Sequence, residues 1–457
     1  MLAVPEPAVE EPAQVAAAAA PDVHRPAAPV RAPQPAPQAA VPIDEPADSA
    51  GDGGAPSLEQ YGLAAGQVIS EKNASQFTEL LVPGIDWGVR YGWRLELVDY
   101  KPIKMPKRFR EATEKHAGQV RLGPGALTVE NYVAGLPFPR VDANDPDAAA
   151  KVMWNFYYNG FLTDDKVMSG VDTYSGSVGP HEPIRTERHL LTDVYRRLNY
   201  NGRLYVDPKP EMPNPEGVRY KESLHPILEP FDLKGVGATF YRYLDPGRQD
   251  DNWLYLPQLR RVRRLSTAQR SDALFGQDVD SDSFAGYNGH IGWMSYRLLG
   301  ERTILATMHA RNFPPKWQNP EDWLYEDVWE PRRVWVIEAT PKMSQYAYGK
   351  RVLYVDQEAW VIAISDSYDR AGQLWKTAVN MYTAKREAIP GDARVQYEDE
   401  MLFFNADIYY DVQLQHATAT ANPRFAGTEK GYFINVGARM GVTEDYFTVA
   451  HMIEKGG

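Results

Sequence analysis

The chain has 457 residues, 43% hydrophobic and 24% charged, with 11 Trp, 27 Tyr, no Cys and a formal net charge of −12 at a pI near 5.4. Lack of cysteine excludes disulfides, thiolate metal sites and cysteine nucleophiles, and the acidic balance argues against nucleic-acid binding, which needs a basic footprint. No run approaches the roughly 18–20 apolar residues of a membrane helix; the alternating strands of an outer-membrane barrel leave a weaker signal, and against a barrel stand helix-like segments and a polar Glu454-Lys455-Gly456-Gly457 end.

Of residues 1–56, 29 are Ala or Pro, eight are acidic and only Arg25 and Arg31 are basic. With no Phe, Trp or Tyr before Tyr61 the segment cannot build a core, and its Pro spacing predicts a disordered, extended tether ahead of one sheet domain over residues 57–457. A secretory signal has a basic start and then an apolar run, whereas residues 1–20 are acidic and Pro-interrupted, so no signal is expected there; without a lipobox cysteine, neither is a lipid anchor.

From Ser57 the composition is globular. Phe77, Leu80 and Leu81 fall at helical intervals in residues 73–81, before Pro83-Gly84, and residues 106–117 begin with Pro and stop at Gly118, so two surface helices are expected. A third spans residues 145–158, with Asp145 as N-cap, Pro146 in the first turn and Gly160 as terminator. Ala149, Val152, Met153 and Phe156 share its apolar face. After Gly235 the period changes from 3.6 to 2. Residues 236–244 and 253–265 flank Asp245-Pro246-Gly247 as two antiparallel strands. Residues 333–340 form another strand, and residues 351–355 and 360–365 surround Asp356-Gln357-Glu358 as a hairpin. Ile408, Tyr410, Val412 and Leu414 then alternate with Asp407, Asp411, Gln413 and Gln415, the pattern of a sheet with one wet face. Few helices separate these strands, so the fold class is α+β with one large antiparallel sheet.

Catalytic signatures are weak. None of the nine histidines lies in a metal-ligand spacing, and Ser175-Gly176-Ser177-Val178-Gly179 lacks the first glycine of a nucleophile elbow. Asp278, Asp280 and Asp282 open like a calcium loop, but Ser283 replaces the turn glycine and Gly289 stands where a bidentate Glu belongs, leaving a solvated acidic loop. No phosphate-binding Gly-rich loop follows a strand, so no cofactor, metal or catalytic residue is assigned. Arg260, Arg261, Arg263 and Arg264 are the most unusual local chemistry: Arg261 and Arg263 share one face of a strand, Arg260 and Arg264 the other. Such a cluster protects an edge or docks an acidic partner or anionic headgroup.

These residues carry a resemblance. Asp250-Asp251-Asn252-Trp253-Leu254-Tyr255-Leu256-Pro257 followed by Arg260-Arg261-Val262-Arg263-Arg264, then Arg332-Arg333-Val334-Trp335-Val336-Ile337-Glu338-Ala339, Arg351-Val352-Leu353-Tyr354-Val355-Asp356, Trp360 and residues 366–375, resemble a large uncharacterised proteobacterial family of outer-membrane lipoprotein-sorting-like proteins with a LolA/LolB-type fold. The resemblance covers roughly residues 57–451. It implies an exported protein with a curved half-barrel sheet closed by helices over an apolar cavity. It also implies a resistance-nodulation-division-type exporter and an outer-membrane barrel protein as partners, with hydrophobic cargo ferried through the periplasm. The Ala/Pro tail and missing signal depart from that pattern.

Strand alternation nominates the ligand-binding face: Trp253 and Tyr255, then Trp335 and Ile337, then Trp360, Ile362 and Ile364, then Ile408 and Tyr410, with Val152 and Phe156 from the helix above. Arg260, Arg261, Arg263 and Arg264 are the partner-docking residues. The expected function is a non-enzymatic carrier of a lipid or hydrophobic compound. An envelope scaffold with a filled core is the alternative, and carboxylate pairs with shifted pKa in a cleft would revive a hydrolase. Because residues 1–56 lack the apolar content to offset chain entropy, deleting them should leave the melting temperature unchanged; a fall of several degrees on thermal unfolding would reveal a docked segment.

Overall fold

The computed structural model describes residues 54–180, 185–265, 270–317, 324–389, 392–422 and 431–456. The tether expected over residues 1–56 lies outside them, apart from residues 54–56. Among the described residues no helix is long and apolar enough to cross a membrane.

The N-terminal part contributes short strands: Val68–Ile69 (β1), Leu95–Leu97 (β2), and a separate pair, Arg121–Leu122 (β3) with Val129–Glu130 (β4). A first antiparallel meander follows in Asp165–Ser177 (β5), Arg185–Asn199 (β6), Val218–Leu224 (β7), Ile227–Glu229 (β8), Gly237–Tyr243 (β9), Asp251–Leu256 (β10) and Arg261–Arg264 (β11). A second runs through Met294–Ala306 (β12), Val328–Pro341 (β13), Lys350–Asp356 (β14), Ile362–Tyr368 (β15), Leu374–Ile389 (β16), Asp392–Asp411 (β17), His416–Ala421 (β18) and Tyr432–Ile434 (β19). The two join where β18 and β19 both pair with β5. The result is one 17-stranded sheet, antiparallel except where β2 meets β13, and in the described residues it does not close: β11 and β12 are its outer strands. The expected α+β class with a large antiparallel sheet is therefore observed, with four α-helices among the described residues, Pro83–Arg90 (α1), Lys107–His116 (α2), Ala148–Tyr157 (α3) and Val449–Gly456 (α4).

Both faces of β13–β15, in the middle of the second meander, are dry. Val336, Tyr354, Ile364, Val379, Ile408 and Ala419 lie side by side across six strands and pack with Leu80, Leu81, Val82, Ile85, Val89 and Trp93 of the N-terminal segment. On the opposite face Trp335, Ile337, Leu353, Val355 and Ile362 pack with Phe109 of α2 and Val152 and Met153 of α3. Strands covered twice need apolar residues at nearly every position, as Val334 to Ile337 supply. Between them lies a buried ion network: Arg332, 1% exposed, makes a bidentate pair with Asp356 at 2.7 and 3.1 Å and reaches Glu358 at 2.8 Å.

Several sequence expectations shift. The helix read over residues 73–81 is only a 3-10 turn at Ala74–Gln76, and α1 begins at Pro83, the residue expected to end it, because proline suits the first helical position. Helix α3 starts at Ala148 with Asp147 as N-cap; Asp145 instead accepts from the Asp147 amide at 2.8 Å. The strand expected over residues 253–265 is a hairpin of β10 and β11, since Pro257 cannot donate to a ladder and Arg260 turns the chain at φ 49°. Trp360, at φ 53°, belongs to the turn before β15, not to the strand. Residues 412–415 are a turn capped by Asp411, leaving Leu414 73% exposed, while Asp407 and Asp411 are buried, so the wet face expected there is covered.

Candidate functional site

The first meander together with β16–β19 walls a cavity of about 580 Å³, within the 300–1,000 Å³ typical of small-molecule sites. Strands from β5 to β10 and from β16 to β19 all contribute to the same enclosed space, so the sheet curves around it. Register explains its composition. Lys166, Arg197, Glu222, Phe240 and Asn252 lie opposite one another across β5, β6, β7, β9 and β10, and all five line the cavity. The next row is Met168, Tyr195, Leu224, Ala238 and Leu254. Farther along β5 and β6 come Val171 opposite Thr192 and Thr173 opposite Leu190. The change of phase between Met168 and Val171 falls at Gly170, whose φ of 71° suits glycine.

Opposite the sheet the cover is mostly irregular chain. Phe156 and Tyr157 at the end of α3 contribute, but most of the cover is residues 270–289, which include the loop of Asp278, Asp280 and Asp282 expected from sequence to be solvated. It is pinned by buried charge. Arg242 pairs with Asp250 at 2.7 and 2.8 Å, Asp250 with Arg270 at 2.9 Å, and Arg270 with both Asp282 oxygens at 2.9 and 3.0 Å. Asp250 would be raised by burial, but Arg242 and Arg270 hold it below the usual carboxylate range. The Tyr348 hydroxyl donates to Asp280 at 2.6 Å, and Asp278 accepts from Thr418 at 2.7 Å and pairs with His416, also at 2.7 Å. These three carboxylates thus have protein partners and anchor the cover. Gly286 lets it approach the sheet: at φ 87°, a Cβ there would sit 2.4 Å from Ile362.

Of the nominated ligand-binding residues, the structure brings Phe156 to this cavity. Trp335, Ile337, Trp360, Ile362 and Val152 lie in the filled core beneath α2 and α3, whereas Ile364, Ile408 and Tyr410 lie in the core beneath the N-terminal segment. The single face expected for them is split by a bulge, because Tyr354 pairs with Ile364 but Val355 with Ile362, placing Ala363 as the extra residue and reversing the alternation. Trp253 and Tyr255 have the wrong parity: in β10 the cavity side carries Asn252 and Leu254, while Trp253 packs edge-on to Tyr241 at 4.8 Å and Tyr255 is buried opposite Gly237, next to Met452 of α4. Arg260, Arg261, Arg263 and Arg264 are all exposed, and Arg264 pairs with Asp251. Sequence reading missed β5 to β8 and with them Lys166, Arg197 and Glu222; the available signal was the alternation of Lys166 and Met168 with Asp165 and Val167.

Asp407 and Lys166 are among the ionisable groups of the cavity wall that burial displaces from their ordinary behaviour. Burial pushes the Asp407 carboxyl up to about 7, opposed by the Thr420 and Tyr409 hydroxyls, and its Oδ1 has no hydrogen-bond partner among the described residues. Burial, reinforced by the neighbouring Arg197 charge and opposed by Glu222, pushes the Lys166 ammonium down to about 8.

The family model described as "Protein of unknown function (DUF1329)" matches residues 68–452. An uncharacterised protein of Pseudomonas aeruginosa is 24% identical over 361 residues, which is 75% of this chain and 72% of that protein. Among solved structures, similarity extends to a Vibrio parahaemolyticus domain described as an outer membrane lipoprotein-sorting protein domain (TM-score 0.45, 17% identical, 68% of this chain and 100% of that one). A DUF1329 family protein from Desulfovibrio piger also matches (TM-score 0.40, 15% identical, 64% of this chain and 92% of that one).

Asp407 gives the cavity a pH signature. Its folded pKa lies above the unfolded carboxylate value, so between about pH 4 and the folded value near 7 the folded protein keeps a proton that the unfolded chain has released, and stability falls as pH rises through that window. Asp407→Asn should remove this slope, raising unfolding stability by roughly 1–3 kcal/mol at about pH 8 and adding nothing near pH 4, as read by denaturant titration.

Proposed function

The chain belongs to the DUF1329 family, and for it we propose the function of a non-enzymatic carrier that holds a lipid or other hydrophobic compound in the cavity and moves it through the periplasm between inner and outer membrane. The observation that supports this reading is the cavity itself. Protein interiors are packed to crystal-like density with few voids larger than a water molecule, yet here about 580 Å³ stays open between sheet and cover. Much of its wall is apolar, including Met168, Val171, Leu190, Ile227, Val236 and Leu254. Transfer of a hydrocarbon chain into it gains on the order of 0.8 kcal/mol per buried methylene, less the cost of ordering the chain. No covalent step is required.

The exposed arginines suit a docking role in the same scheme. Phe231 and Leu259, 89% and 52% exposed, stand on adjacent turns joined by a hydrogen bond from Gln258 to the Asp232 carbonyl at 2.9 Å. Lys234, Arg260, Arg261 and Arg263 lie in or beside these turns. Apolar tips with a cationic rim on a chain of net charge −12 fit an anionic lipid surface. A resistance-nodulation-division-type exporter and an outer-membrane barrel protein are the proposed partners at the two ends of the route.

Native mass spectrometry with organic extraction should find a hydrophobic compound on the purified protein; a protein that neither carries one nor binds a fluorescent fatty acid would favour the scaffold alternative. Ala238→Phe, which fills the cavity floor, should weaken probe binding about tenfold or more with little change in melting temperature. Trp335→Ala should instead cost roughly 3–5 kcal/mol of stability and leave probe affinity nearly unchanged. Arg261→Ser with Arg263→Ser should preserve melting temperature and reduce co-sedimentation with phosphatidylglycerol vesicles; unfolding of the pair variant would place these side chains in the structural framework.

A further inference from the structure

The cavity has two chemically different ends. Lys166, Arg197, Glu222, Tyr220, Arg242 and Asp250 gather at one. Beyond the row of Met168, Tyr195, Leu224, Ala238 and Leu254, the other end is walled by Val171, Leu190, Ile227 and Val236 with Thr173, Thr192, Thr420 and the Asp407 carboxyl beside them, and among the described residues no lysine or arginine of the strands stands there. The order along the strands fixes this polarity, because β5 runs from Lys166 through Met168 to Val171, and β9 leaves Arg242 at the opposite end from Ala238.

Charge at the polar end is unequally matched. Arg242 is paired with Asp250, which also holds Arg270. Arg197 and Lys166, in contrast, stand directly opposite each other on adjacent strands, a like-charge pair that is unfavourable unless something neutralises it. Arg197 reaches Glu222 at 3.3 Å and stacks over Tyr220 at 3.7 Å. Glu222 also accepts from the Tyr195 hydroxyl at 2.5 Å. Lys166 has no carboxylate of the described residues within ion-pair distance; its ammonium lies over the Tyr195 ring at 4.7 Å. Glu222 therefore pairs with Arg197 and leaves Lys166 without an ion-pair partner among the described residues. At neutral pH Lys166 stays protonated in spite of its depressed pKa. A largely desolvated charge without a counterion is unfavourable, and a ligand that brings an anion relieves it.

We propose that the cavity takes a single-chain amphiphile with an anionic head, the head held by Lys166 and Arg197 and the chain lying along Met168, Val171, Leu190, Ile227 and Leu254. This rests on the carrier reading and narrows it from hydrophobic compounds in general to those with an acid group. Arg197 supplies a planar donor fork and Lys166 a point charge, a combination that suits carboxylate or phosphate oxygens.

The test compares three probes of one chain length, palmitate, hexadecanol and hexadecyltrimethylammonium, below their micelle concentrations, by displacement of a fluorescent fatty acid and by native mass spectrometry. The unmodified protein should bind palmitate at least about tenfold more tightly than hexadecanol and exclude the ammonium compound. Lys166→Met should erase the preference for palmitate, keep hexadecanol binding and raise the melting temperature of the ligand-free protein; Lys166→Arg should keep the preference and show that the variants fold. Equal affinity for palmitate and hexadecanol would overturn the anionic-head assignment and leave the carrier standing. Binding of none of the three to the unmodified protein would overturn the carrier reading itself.

Discussion

The cavity depends on one chain of buried ion pairs, Arg242 to Asp250 to Arg270 to Asp282, that fastens residues 270–289 to the sheet. Segments without regular structure seldom cover a cavity, because their backbone polar groups need partners. Here two arginines and two aspartates alternate, so each buried charge has an opposite neighbour, and Arg270 lies 3.6 Å over the Trp293 ring as well. Such an arrangement adds little net stability compared with an apolar core, but breaking any member strands its partner. That property suits a cover, since losing any one contact leaves a buried charge without its partner.

The strands β13–β15 are filled on both sides, whereas the first meander and β16–β19 border the cavity. On the doubly covered strands β13–β15 the interior positions are Trp335, Ile337, Leu353 and Ile364, and they are packed out by α2, α3 and the N-terminal segment. On β9 and β10 the inward positions next to the cavity include Ala238 and Asn252, and β5 and β6 offer Thr173 and Thr192. Aromatic residues occur on both sides of this division, Trp335 in the filled core and Tyr195, Phe240 and Tyr382 at the cavity wall, so it is the cover above each strand that decides which is full. An apolar face rich in Trp and Ile is therefore evidence for a core before it is evidence for a pocket.

The electrostatics separate in the same way. A chain of net charge −12 keeps Lys166, Arg197, Arg242 and Arg270 at its cavity, and carries Arg260, Arg261 and Arg263 on the exposed edge strand and its turn. In a low-dielectric enclosure a cation acts strongly on whatever enters, whereas on the surface it is screened within about 10 Å. In the carrier proposed above the first arrangement selects the ligand and the second serves encounter; charge on an open edge also keeps it from pairing with another sheet.

The sequence by itself determined the class of fold, and did so through particular residues: the alternation in residues 236–244 and 408–411, the turn at Asp245-Pro246-Gly247 and the helix over Val152 and Met153 all recur in the structure. Those signals are local, carried by a period of two or 3.6 that a short window contains. The cavity was not legible in the same way. Its walls come from β5 to β10 and β16 to β19, brought together by the pairing of β18 with β5 across some 240 residues, for example Thr173 with Thr420. Which parity of β10 faces inward is set by the partners that cover each side, and one bulge at Ala363 is enough to put Ile362 and Ile364 on opposite faces. Only the tertiary structure could decide that Leu254 looks into space while Trp253 does not, because a strand records that its two faces differ but not which one will be left uncovered.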